Sequence, residues 1–147
     1  LEFRRVLFRS FGNPLIKNQF DITSLPLSEN YFNLIICYHV LEHVADDRKA
    51  MAELFRVLKK GGIALLQVPY SEEETVEDSS VTNPEKRKKL FGQEDHVRYY
   101  GREDFKQRLK SVGFSVEEIL YTEKIGEKKL KLFQLKPKEI IFQCVRP

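Results

Sequence analysis

Leu34-Ile35-Ile36-Cys37 is a continuous apolar run, and polar, hydrogen-bonding side chains then arrive abruptly at His39, Glu42 and His43. A run of that length fits a strand buried on both faces, which demands helices on either side of a mostly parallel sheet. In open sheets of this kind, ligands sit in the crevice beyond the carboxyl ends of the strands. The change of chemistry at His39 therefore predicts that this strand, Phe32 to Tyr38, ends on the floor of a site.

The next segments agree with that architecture. Asp46 or Asp47 can cap a helix in which Met51, Leu54, Phe55 and Leu58 recur at helical spacing. Lys59 and Lys60 suit the negative end of its dipole, and Gly61-Gly62 offers a left-handed stop. Ile63 to Val68 reads as a second strand closed by Pro69, so a right-handed parallel crossover is the default connection. Asn83-Pro84 opens a short helix through Leu90, and Arg102 to Val112 forms another, closed by Gly113. Phe114 to Tyr121 and Glu139 to Val145 read as two further strands, and Ile16 to Phe20 as a short, weakly apolar one.

A chain of 147 residues can hold one domain with a real core and is too short for two ordinary ones. No apolar run approaches a membrane span, and no h-region follows the N-terminal arginines. The net charge of +3 carries no nucleic-acid signal, because residues 1–10 alone hold three arginines and one glutamate. That stretch, LEFRRVLFRS, lacks periodicity and resembles translated cloning sequence, so it is set aside as a non-native scar and 11–147 is treated as the domain. Cys37 and Cys144 have apolar neighbours and no metal-ligand spacing, which predicts buried free thiols and a reducing, cytoplasmic setting.

Two polar groupings bear on chemistry. His39-Val40-Leu41-Glu42-His43 matches the H-x-x-E-H pattern of inverted zinc peptidases. That chemistry needs both histidines on one helix face, whereas here the pattern directly follows a strand and the capping aspartates come after it. A zinc hydrolase is therefore the lesser alternative, and no metal is expected. Asp95, His96, Arg98 and Tyr100 lie beside Gly101 and either shape a substrate pocket or form a self-contained hydrogen-bonded loop. Asp21 has an equally plain reading as a turn residue. The acidic and basic clusters between residues 71 and 90 read as solvated surface.

Taken together, DITSLPL, FNLIICYHVLEHV, DDRKAMAELFRVLKKGG and IALLQVP resemble the later part of a class I S-adenosylmethionine-dependent methyltransferase of the type 11 kind. The resemblance continues through FGQEDHVRYYGREDF and RLKSVGF, so it covers roughly residues 14–147. It implies a Rossmann-like α/β sheet, mostly parallel, with a C-terminal antiparallel strand. It also implies S-adenosylmethionine as cofactor, Asp21 accepting from the adenine amino group, Ile22 near the adenine ring, and Cys37, Tyr38 and His39 passing the methionine end. If the acceptor must lose a proton, His39, His43 and His96 are candidate bases. The acceptor is expected to be a small molecule, with no membrane or nucleic acid involved.

One departure stands out. The family opens with a glycine-rich turn and holds the ribose with an acid, yet glycine occurs here only at 12, 61, 62, 92, 101, 113 and 126, and Arg9 and Ser10 stand where the acid would be. The expectation is a fragment lacking the first two strands, a helix and half of the cofactor site, with methyl transfer weak or lost. A non-catalytic binding module of the same fold is the alternative.

Overall fold

The computed structural model describes residues 20–120, 122–132 and 139–147. In chain order these form β1 (Phe32–Tyr38), a 3₁₀ turn (Leu41–His43), α1 (Asp47–Val57), β2 (Leu58–Gln67), β3 (Tyr70–Ser71) and β4 (Val76–Glu77). There follow α2 (Pro84–Phe91), β5 (Arg98–Gly101), α3 (Arg102–Ser111), β6 (Ser115–Ile119), α4 (Thr122–Leu132) and β7 (Ile141–Val145). The proposed scar and the strand from Ile16 lie outside the described residues, Phe20 excepted.

The main sheet runs β1-β2-β7-β6. β1 and β2 pair in parallel across α1, as the strand–helix–strand pattern predicts, and β7 inserts antiparallel between β2 and β6. The expected mostly parallel α/β sheet with a C-terminal antiparallel strand is what the chain forms. The core is built from Ile35 and Cys37 of β1, Ala64 and Leu66 of β2, Met51 and Leu54 of α1, Phe105 and Leu109 of α3, and Phe142 and Cys144 of β7. Phe105 meets the Phe142 ring edge-on at 4.9 Å, which joins α3 to the sheet. Both cysteines are buried free thiols. Among the described residues no helix is long and apolar enough to cross a membrane.

Three local readings need correction. The helix expected to run through Leu58 to a Gly61-Gly62 stop ends at Val57, and Leu58 is already extended. Its last carbonyls find other partners. The Arg146 guanidinium donates to the carbonyls of Phe55, Arg56 and Leu58, and the amides of Asn30 and Tyr31 donate to those of Arg56 and Val57. Gly61, with φ +70°, instead serves a bulge where the register jumps from Phe32–Leu58 to Leu34–Ile63. The segment after Pro69 holds a second sheet, ordered β3-β5-β4, whose strands are too short to show alternation in sequence. α4 was likewise not anticipated, and Gly126 interrupts it.

Candidate functional site

The site begins where β1 stops. His39 adopts the left-handed region (φ +53°), and its amide donates to the Gln67 carbonyl at the end of β2 (2.9 Å). This bend throws the chain off the sheet into the 3₁₀ turn, where fully buried Leu41 anchors it and Glu42 is carried inward. The insert then folds back over the turn. The Val97 amide donates to the Glu42 carbonyl (2.9 Å), and the Arg98 guanidinium donates to the carbonyls of Leu41, Val44 and Ala45. Tyr100 places its hydroxyl against Asp47 Oδ2 at 2.7 Å.

This docking gathers five polar side chains at the carboxyl end of β1. His39 Nδ1 faces Glu42 Oε1 at 3.3 Å, and His43 Nδ1 faces Asp95 Oδ2 at 3.2 Å. His43 and His96 meet edge-to-face with centroids 4.7 Å apart. His96 is buried, with Nδ1 on the Phe91 carbonyl at 2.8 Å. Glu42 is only 1% exposed, and its Oε2 has no hydrogen-bond partner among the described residues. The sequence pattern His39-x-x-Glu42-His43 does not lie on one α-helix, so the two histidines do not present the side-by-side helical geometry that the pattern presupposes.

The residues expected to line a cofactor are distributed unevenly. Asp21 is exposed, and its Oδ1 accepts from both the amide and the hydroxyl of Thr23 at 2.8 Å. Those bonds, the amide first, hold its carboxyl below the usual carboxylate range. The turn reading of Asp21 is thus realised, while Oδ2 remains without a partner among the described residues. Ile22 is buried in the core together with Leu25. The Cys37 side chain is also buried, and desolvation, helped by the Glu42 charge, pushes its thiol up to about 12. It is therefore a packing group, and only its backbone can border a ligand. Tyr38 is half-buried, and burial raises its hydroxyl.

Of the loop read two ways in the sequence, Arg98 and Tyr100 are buried braces, whereas Asp95 and His96 reach the histidine cluster. The sequence reading missed the convergence of His96 with Glu42 and His43, because it depends on the Val97–Glu42 backbone bond and on no local pattern. The chemistry of a nucleoside ligand suits what is present on one side only. An exposed carboxylate oxygen can accept an amino N–H, but no described glycine turn supplies the backbone amides that a cofactor's ribose and carboxylate require.

The sequence model of a family described as "Methyltransferase domain" matches residues 9–119. An uncharacterized methyltransferase of Bacillus subtilis, YcgJ, is 40% identical over 60 residues, covering 41% of this chain and 24% of its own length. The crystal structure of YcgJ superimposes with a TM-score of 0.54 at 20% identity, covering 88% of this chain and 70% of that one. A Mycolicibacterium smegmatis protein named as a probable S-adenosylmethionine-dependent methyltransferase is 26% identical over 100 residues, covering 68% of this chain and 35% of its own. Phosphoethanolamine N-methyltransferase 2 of Haemonchus contortus, solved with phosphomonomethylethanolamine and S-adenosylhomocysteine, matches with a TM-score of 0.54 at 16% identity over 86% of this chain and 36% of that one. The aligned regions thus span about a quarter and a third of the lengths of the two curated relatives.

Proposed function

Because the chain belongs to the methyltransferase-domain family, we propose that the protein from which it comes transfers a methyl group from S-adenosylmethionine to a small-molecule acceptor. The names of the Mycolicibacterium relative and of the Haemonchus complex support that donor. The observation that carries the reading is the polar cluster standing at the carboxyl end of β1, where a doubly wound sheet receives its ligand. Buried free thiols at Cys37 and Cys144 support a reducing, cytoplasmic setting.

When bound, S-adenosylmethionine supplies an electrophilic methyl on a sulfonium, and displacement at that carbon is in-line. The protein's work is then alignment and exclusion of water. Asp21 would accept a hydrogen bond from the adenine amino group, Ile22 would lie near the ring, and the backbone from Cys37 to His39 would border the methionine end. Where the acceptor must lose a proton, His39 is the best-placed base. Glu42 Oε1 beside its Nδ1 favours the tautomer protonated there, leaving Nε2 as acceptor. His43 and His96 are candidate bases too, but His96 is buried and His43 is engaged with Asp95. With no G-x-G in its sequence, this chain alone is expected to hold the donor weakly and turn over slowly or not at all.

The test is to recover the coding sequence upstream of residue 1, express the longer chain and titrate it with S-adenosylhomocysteine by calorimetry. One-to-one binding that weakens about tenfold in Asp21→Ala is expected for loss of one hydrogen bond. No heat from the longer chain, or equal affinity in the variant, removes the assignment. An upstream sequence without a glycine-rich turn favours the non-catalytic binding module instead.

A further inference from the structure

We propose that Glu42, His43 and His96 form a binding site for one first-row divalent metal ion, with Zn²⁺ the best match. One ligand atom from each lies within 4.8 Å of the other two, although His96 is distant in sequence and comes from the segment before β5. Two imidazoles and a carboxylate are a donor set suited to zinc and its neighbours, and they leave coordination positions open.

Two independent features point to an ion rather than to a packed polar cluster. The first is Glu42 Oε2, buried and without a hydrogen-bond partner among the described residues. Leaving such an oxygen unmatched is costly, so native interiors seldom tolerate it without a purpose. The second is the orientation of the two rings. His96 Nδ1 faces the Phe91 carbonyl at 2.8 Å, and His43 Nδ1 faces the Asp95 carboxylate at 3.2 Å. The Phe91 carbonyl fixes the His96 proton on Nδ1 and frees its Nε2 lone pair, as supporting oxygens commonly do for metal-ligating histidines, and the Asp95 charge near His43 Nδ1 favours the same arrangement there.

An ordinary histidine–glutamate hydrogen bond fits less well. His43 Nε2 stands 4.0 Å from Glu42 Oε1, beyond hydrogen-bond length. A tetrahedral ion with bonds of about 2.0–2.1 Å needs donors about 3.3 Å apart, so binding draws the three together. His39 does not belong to the set. Its Nδ1 faces Glu42 Oε1 and leaves Oε2 for the ion, so the site differs from the His39-x-x-Glu42-His43 pattern by exchanging His39 for His96.

The test uses the whole 147-residue chain, stripped with EDTA and titrated with Co²⁺ while its visible absorption is followed, then competed with Zn²⁺. No methyl donor is added, so the outcome is independent of the methyl-transfer reading. One equivalent of Co²⁺ with intense tetrahedral-type bands, displaced by Zn²⁺, is expected. Glu42→Gln and His96→Gln should each weaken binding by at least about tenfold, and His39→Ala should leave it within about twofold. Circular dichroism checks that each variant folds, and His43→Ala replaces His96→Gln if that one does not. A folded chain that shows no bands, bands undiminished in Glu42→Gln, or binding lost in His39→Ala but kept in His96→Gln overturns the proposal.

Discussion

Arg108 on α3 reaches three carboxylates at once. It donates to Asp47 Oδ2 at 2.9 Å, to Glu77 Oε1 at 2.7 Å and to Asp104 Oδ2 at 2.8 Å. Arg98 adds a second contact to Glu77, and the Tyr100 ring lies within cation–π range of both guanidinium groups. Arg108 and Asp47 are both nearly inaccessible, so removing Arg108 leaves the buried Asp47 carboxylate with only the Tyr100 hydroxyl and the Arg98 guanidinium at 3.9 Å. Arg108→Ala should therefore destabilise the fold by about 3–5 kcal/mol, read from urea denaturation. Glu77 predicts a pH dependence. Hydrogen bonding to Arg108, then to Arg98, lowers its carboxyl from 4.5 to about 2. A depressed folded value means that its stabilisation is complete above 4.5 and is lost as the pH falls through that value toward about 2. Its half-exposed position moderates the size of the effect. The urea midpoint should drop across that interval, and Glu77→Gln should flatten the drop. This is also where sequence reasoning reaches its limit at the scale of the residue. In a string of letters Arg98 and Tyr100 read equally as pocket chemistry or as part of a hydrogen-bonded loop; in the fold they brace the turn and α1, and nothing local says that Asp47 lies beneath them.

At the scale of the element, caps and apolar faces were legible wherever their chemistry is local. Asp46 accepts from the Lys49 amide and Asn83 from the Lys86 amide, so both helices start where a short polar side chain can serve the first turn. The end of α1 was not legible, because its partner is Arg146 at the other end of the chain. Arg146→Ala removes a donor from the Phe55, Arg56 and Leu58 carbonyls, of which Arg56 keeps the Asn30 amide, and should cost about 1–3 kcal/mol in urea denaturation. Gly101 is the last residue of β5, immediately before α3. A Cβ there would collide with the Glu73 carbonyl oxygen and approach the Thr75 amide at 2.8 Å. Gly101→Ala should therefore displace the 72–75 segment and lower the melting temperature by several degrees, about 2–3 kcal/mol for an overpacked backbone contact.

For the whole molecule, the α/β class and the parallel β1–β2 pair followed from the order strand, helix, strand, because handedness and burial leave few alternatives. The place of β7 between β2 and β6 could not follow from periodicity, since pairing partners distant in sequence leave no local trace; the family resemblance implied only that a C-terminal strand runs antiparallel. The candidate site was half legible. Its floor at His39 to His43 announces itself by the switch from apolar to polar, but the arrival of Asp95 and His96 requires the insert to be folded. Among the described residues β1 pairs only with β2, and Asp21 sits in a turn closed by Thr23. The most direct test is amide chemical-shift mapping of the isotopically labelled chain with S-adenosylhomocysteine at millimolar concentration. The account predicts small, fast-exchange shifts concentrated at Asp21 to Thr23 and Cys37 to Glu42. Shifts confined to β6 and α3, or none at all, would contradict a methyl-donor pocket bordered by Asp21 and the tail of β1.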